Sequence, residues 1–415
     1  MPAQEPILFR NLNLLDPRWN EPRDGYEVLV EGGHIKEVSD KAIRSVTARQ
    51  LDCGKRFLLP GLIDCHVHVY LSEVYIRLLE NIPVSLLAAR AAPLMLGMLN
   101  RGFTTVRDTG GADWGIKEAV DKGHLPGPRL FIVGRAIGPT GGHSDGRRRT
   151  DHFKACRCCD GLTFTMAIAD GADRVRAAVR EELRQGADAI KLMVSGGVAS
   201  PYDPLDSRQF SLGEIAAAVE EAQAFNRYVL AHAYTPEAIT RAVSQGVRTI
   251  EHGNLIDEPA AKLLAKSKGY MIANLVAYVV MKERASQFGM TADMLAKNDM
   301  VLEGGLRSLE ICQKAGVKVG YGSDLLGQLQ NEQSREFLLR TDVMTPIEIL
   351  RSATTVAAEI IRMEGKLGIV EPGAHADLIL VDGNPLKDFG LFQNQGEHLS
   401  VIMKEGRFHK NRLHS

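Results

Sequence analysis

Residues 61–70 read GLIDCHVHVY, and the two imidazoles in this stretch are the first groups along the chain equipped for chemistry. A strand alternates its side chains, so His66 and His68 leave on one face with Asp64 and Tyr70, while Ile63, Cys65, Val67 and Val69 take the other. Two imidazoles converging on one spot read as half of a metal site, because neutral imidazole is the commonest metal ligand. A hydrogen-bonded pair of core histidines is the competing reading. Chemically capable residues then recur late in later apolar segments: Lys191 in AIKLMVSGG, His232 in VLAHAYTPE, His252 in TIEHGNL and Asp324 in GYGSDLL. Taken singly, His232 and His252 could be satisfied core histidines and Asp324 a helix cap. Lys191 is harder to dismiss, since a charged lysine is costly to bury without a partner. Taken together, the bland readings ask five strand ends to carry unrelated polar residues by chance.

Four histidines and an aspartate suit one or two borderline-soft divalent ions such as zinc. A lysine becomes useful between two ions if its amine is converted to a carbamate, which is anionic and has two oxygens with which to bridge. Ions about 3.5–4 Å apart acidify a shared water toward neutral pH. Asp324 could then take that water's proton and pass it to a leaving group.

The elements that must position these residues are short apolar strands alternating with helical patterns. Strands are predicted at GLIDCHVHVY, FTTVRDTG, RLFIVGRAI, AIKLMVS, YVLAHA, TIEHGN, YMIANL and VKVGYGSD, with amphipathic helices such as RVRAAVREELRQG and LGEIAAAVEEAQAF between them. Eight such units meet the requirement of a (β/α)8 TIM barrel, whose active site lies at the carboxyl ends of its strands; an open doubly wound sheet gives a similar alternation. Both chain ends have a different texture, with brief apolar runs between Gly, Asp and Asn turn signals. The expected fold class is α/β: a barrel over residues 60–366 and a small β-sandwich formed by both termini, 1–59 plus 367–415.

The whole chain excludes several function classes. Its 415 residues, 45% hydrophobic and 24% charged, exceed one simple core. Fifty basic against 51 acidic side chains leave a formal charge of -1, with no field to attract nucleic acid or an anionic membrane. A small-molecule partner is expected. The start lacks a basic stretch followed by an apolar run, and six cysteines are too few for a disulfide framework, so the expected compartment is the cytoplasm. Cys156, Cys158 and Cys159 in CRCCD lack a second ligand pair nearby, which favours loop thiols over a zinc site.

Several other residues are candidates for substrate contact. His143 follows two glycines in TGGHSD, a loop that would let a donor approach a scissile carbonyl. Tyr234 lies two residues after His232 and so on the same face. Arg147, Arg148 and Arg149 could bind a carboxylate or form a solvated loop. The glycines of VSGGVASP, residues 194–201, either admit a ligand close to the backbone or make a turn. Residues 276–299 read as helix, covering the site or serving packing or oligomer contact.

The ordered set His66, His68, Lys191, His232, His252 and Asp324, with PGLIDCHVH before it and GAHADLILVDGNP after it, resembles the amidohydrolase superfamily. The resemblance implies that His66, His68 and Asp324 hold one ion, that His232 and His252 hold the other, and that carboxylated Lys191 bridges them. Nucleobase deaminases of that superfamily use one metal and a glutamate after the fourth or fifth strand, without a bridging lysine, so hydrolysis is favoured here. RGFTTVRDTGG, GPTGGHSD, KLMVSGGVASPYDP, LAHAYTPEAI, GVRTIEHGNLID and VGYGSDLLG are similar to the branch of Xaa-Pro dipeptidases, carboxypeptidases and ochratoxin-type amidohydrolases. That similarity implies a binuclear enzyme, zinc favoured, cutting the amide bond before a C-terminal amino acid in dipeptides or N-acyl amino acids. It also implies catalytic roles for Asp324 and His143, substrate contacts from His143 and Tyr234, and a homo-oligomer, an octamer among its forms. The same metals would serve an esterase, lactonase or phosphotriesterase. A catalytically silent assembly module would lack the ligands.

Overall fold

The computed structural model describes residues 5–147, 166–200, 203–287 and 290–413. Both ends of the chain enter one mixed sheet of eight strands. Its seam is Phe57–Pro60, which runs parallel to Ile7–Leu14 and antiparallel to Leu378–Val381. Phe9, Val28 and Val30 from the N-terminal part share a buried apolar cluster with Leu378, Leu380 and Val401 from the C-terminal part. The expected sandwich concerns how this sheet folds over that core; the hydrogen bonding is that of a single sheet.

Between the ends lies an α/β unit whose strands pair in parallel. Seven of the eight predicted segments each hold one strand: Leu62–Val67, Phe103–Asp108, Ile190–Met193, Val229–Ala233, Thr249–His252, Tyr270–Ala273 and Lys318–Tyr321. They are buried on nearly every residue, as strands covered on both faces must be. The third segment corrects the expectation of one strand, because RLFIVGRAI breaks into Arg129–Ile132 and Ala136–Gly138. Gly134 at the break has φ +69°, and a side chain there would collide with the Glu182 carboxylate, which accepts from both the backbone and Nε of Arg135. The break divides the parallel strands into a sheet of three, ending at Arg129–Ile132, and a sheet of seven, in which Ala136–Gly138 pairs with Met166–Ile168 and Ile190–Met193. At the other limit, the backbone N–H of Asp324 donates to the His66 carbonyl at 2.9 Å, tying the exit of the last strand to the first.

The amphipathic candidates form helices Ala172–Arg184 and Leu212–Ala224, the second opened by a capping box between Ser211 and Glu214. Val175, Val179, Ile215 and Ala218 carry their apolar faces into the core that the strands share. Within 276–299 the chain forms helix Leu275–Glu283 and the start of helix Ala292–Ala315, with residues 288–289 outside the described ones. Arg340 and Glu336, both fully buried, brace this region. Arg340 donates to the carbonyls of Ala273 and Gly320, Glu336 accepts from Val276 N–H, and the two side chains pair at 2.8 Å. Burial outweighs that pairing and lifts the Glu336 carboxyl to about 7. No helix among the described residues is long and apolar enough to cross a membrane.

Candidate metal centre

The strand ends bring five donor residues and Lys191 to the wall of one cavity of about 270 Å³. Asp324 is the hub. Its Oδ1 lies 3.2 Å from His66 Nε2 and 3.3 Å from His68 Nε2, and its Oδ2 lies 3.6 Å from His252 Nδ1. Ring centroids step 5.4, 5.1 and 4.5 Å from His68 through His66 and His252 to His232. The tightest donor group, with atoms within 4.8 Å of one another, is His66, His252 and Asp324, which straddles the two ligand sets implied by the family pattern.

Each imidazole is held by one ring nitrogen. His66 Nδ1 contacts Glu251 at 2.8 Å, His68 Nδ1 the Gly110 carbonyl at 2.9 Å, His232 Nε2 the Gly196 carbonyl at 3.0 Å, and His252 Nδ1 the Asn274 amide oxygen at 3.0 Å. For His66, His68 and His232 an acceptor on one nitrogen fixes the tautomer and leaves the other for a metal, whereas His252 Nδ1 faces Asn274, Tyr278 and Asp324 together. That pattern, together with the nitrogen and oxygen donor set, fits one or two divalent ions. Burial pushes His232 and His252 well below the usual imidazole range, so both are neutral, the form that binds metal. Burial opposes the charge on Asp324, but the field of His66 and contacts with His66 and His68 hold its carboxyl well below the ordinary value. Burial also brings the Lys191 amine down to about 8.

Backbone geometry explains how adjacent residues reach one centre. Glu251 and His252 should leave their strand on opposite faces. Instead His252 has φ +77°, and both join the buried network beneath the cavity. Asp324 has φ +52°, so it is no helix cap of the usual extended kind. Such left-handed non-glycine residues collect at functional sites. Tyr70, beyond the end of its strand, turns away and donates to Asp113.

Of the proposed substrate contacts, His143 and Tyr234 line the cavity. Tyr234 hydroxyl is 2.9 Å from that of Tyr278, which in turn is 2.9 Å from His252 Nδ1. Arg147 is engaged by Asp145, Nε to Oδ1 at 2.7 Å; Arg148, Arg149, Cys156, Cys158 and Cys159 lie outside the described residues. The glycines of 194–201 serve histidines: Gly196 presents its carbonyl to His232, and a Cβ on Gly197 would overlap the His143 ring.

Sequence reasoning missed the support beneath the candidate metal ligands. Glu251 accepts from Thr249 and from both Arg107 Nη2 contacts, at 2.8 and 3.0 Å, besides holding His66. Arg107 also donates to the Cys65 carbonyl. Opposite charges inside two apolar strands, TTVRD and TIEHG, were the available signal. Tyr278 and Asn274 carried none, because both lie where the seventh strand gives way to a helix.

The profile of the amidohydrolase family matches residues 57–407. A solved amidohydrolase is 49% identical, with a TM-score of 0.95 over 98% of this chain and 99% of that one. A solved prolidase in complex with N-methylphosphonate-L-proline is 45% identical, with a TM-score of 0.95 over 98% of this chain and all of the other. The ochratoxinase of Aspergillus niger is 30% identical over 406 residues, 90% of this chain and 82% of that protein. A buried cluster of imidazoles and a carboxylate at parallel strand ends, in a chain matched over this length, makes the protein a hydrolytic enzyme of the amidohydrolase family.

Proposed function

We propose that the enzyme cleaves the amide bond before a C-terminal amino acid, in a dipeptide such as Xaa-Pro or in an N-acyl amino acid. In this reading the parallel strands of residues 60–366 close into a (β/α)8 barrel, the ends 1–59 and 367–415 form a separate sandwich, and Lys191, once carboxylated, would help hold two zinc ions. The observation that carries it is the convergence of His66, His68, His232, His252 and Asp324 with Lys191 on a single cavity. A prolidase and an ochratoxinase among the relatives support the choice of bond.

His66, His68 and Asp324 would hold one ion and His232 and His252 the other. When bound, divalent ions polarise a carbonyl and acidify water. The chain's own groups then move the proton and hold the substrate. Asp324 accepts a proton from the attacking water and delivers it to the departing amine nitrogen, so that amide plus water gives acid plus amine. His143 and Tyr234 present donors to the scissile carbonyl or the adjoining carboxylate. Val74, Met281, Met290, Met294 and Leu329 give the cavity an apolar wall, which would exclude water around a bound substrate.

The test is a hydrolysis screen of zinc-loaded protein against dipeptides, N-acyl amino acids and matching esters that differ only in the C-terminal residue, with a chelator-treated control. Chelator-sensitive amide cleavage restricted to a few C-terminal residues is the expected result. Cleavage of esters alone by fully metallated protein would overturn it.

A further inference from the structure

His143 is held by residues of the following loop. Its backbone N–H donates to Gln209 Oε1 at 2.9 Å. Its ring stacks on His232, with 4.4 Å between centroids and planes 19° apart, and rests against Gly197. Its Nδ1 is buried and lies 3.5 Å from Asp203 Oδ2, longer than a formed hydrogen bond. Asp203 is 3% exposed and stands off the cavity wall, so it meets substrate only through another group. Its Oδ2 accepts from Gly197 N–H at 3.0 Å and from Gln209 Nε2 at 3.2 Å, while Oδ1 is buried without a partner. Gln209 therefore clamps both members, its carbonyl oxygen on His143 and its amide on Asp203.

Neither His143 Nδ1 nor Asp203 Oδ1 has a satisfied partner, and a buried polar atom left unpaired is unstable. Hydrogen bonds that are long in a free enzyme tighten when substrate binds. Burial disfavours the Asp203 charge, yet the donors around it, His143 first, hold its carboxyl below the ordinary value. A carboxylate thus faces the Nδ1 edge of a ring that lines the cavity.

We propose that Asp203 is a positioning residue for His143: its carboxylate accepts the Nδ1 proton and sets the ring so that Nε2 is presented to the substrate. The inference rests on His143 being a substrate contact, as in the function proposed above.

The experiment is a kinetic cycle on the full-length, zinc-loaded protein, with Asp203→Asn, His143→Ala and the double variant, alongside metal content and thermal midpoint. His143→Ala should lower kcat/KM about 10–100-fold, the scale of a misplaced contact. Asp203→Asn should lower the same parameter, kcat or KM, that His143→Ala lowers, and the double variant should be no worse than His143→Ala, with metal content unchanged. Losses that multiply in the double variant, or a fall in thermal midpoint alone, would overturn the positioning role while leaving the hydrolase reading intact. Full kcat/KM in His143→Ala would remove the contact on which the inference depends. A crystal structure of Asp203→Ala reads the same point without turnover: a His143 ring displaced from Gly197 with His232 unmoved is expected, and an undisturbed ring overturns the inference even if no substrate is ever found.

Discussion

A carboxylate in contact with three imidazoles can act both as a metal ligand and as a proton carrier, and Asp324 is placed for both. Asp324→Asn preserves shape and one ligand oxygen but cannot accept the proton. It should keep most of its bound metal and lose about 10²–10⁴-fold in kcat, measured by metal analysis beside steady-state kinetics; normal turnover would remove the proton-transfer role. Lys191→Ala should bind fewer than two ions per chain, and two ions with full activity would rule out bridging. His66, His68, Lys191, His232, His252 and Asp324 were legible because each is a polar group in or beside an otherwise apolar strand, where burial without a purpose is costly. Glu251 was not, because alternation sends it away from its neighbour His252 and only the left-handed backbone of His252 brings them together.

At the level of elements, strand and helix periodicity was readable, and the broken third strand was not. Gly134 lies within an apolar run, and what interrupts pairing there is a carboxylate arriving from Glu182 on a distant helix. Buried charge also joins elements at Glu336 and Arg340, which brace two strand ends and the start of helix Leu275–Glu283. The folded-state value of Glu336, about 7, lies above its ordinary 4.5, so the native state holds this proton more tightly than the unfolded chain. Its stabilising share is complete below about 4.5 and is lost as pH rises toward 7. At pH 5 wild-type Glu336 is neutral and carries its full proton-linked share of stability, so Glu336→Gln shows its whole cost there; at pH 8 the wild type has given up that share, which the amide never loses, so the cost should shrink or reverse. Denaturant melts at both pH values check this, and an equal loss at both would contradict the ionisation assigned here.

For the whole molecule, the joint between the terminal sheet and the parallel strands rests in part on Arg129, whose guanidinium spans Asp377 at 2.6 Å and Glu405 at 2.7 Å. Asp377 is almost fully buried, so Arg129→Ala should destabilise by about 3 kcal/mol through an uncompensated carboxylate. Turnover per folded molecule should be unchanged, because the joint is remote from the cavity; denaturant melts paired with kinetics would show a loss of kcat if that separation is wrong. The sequence by itself determined the alternation of strands and helices, the shared character of the two ends and which polar groups gather at one cavity, since these follow from local periodicity and from the cost of polar residues in apolar strands. Only the tertiary structure decided which groups meet: Glu251 with Arg107 and His66, Asp203 with His143, Tyr278 with Tyr234. Those pairs lie far apart along the chain or depend on single residues with φ above zero, and neither long-range proximity nor a local reversal of the backbone is written in periodicity.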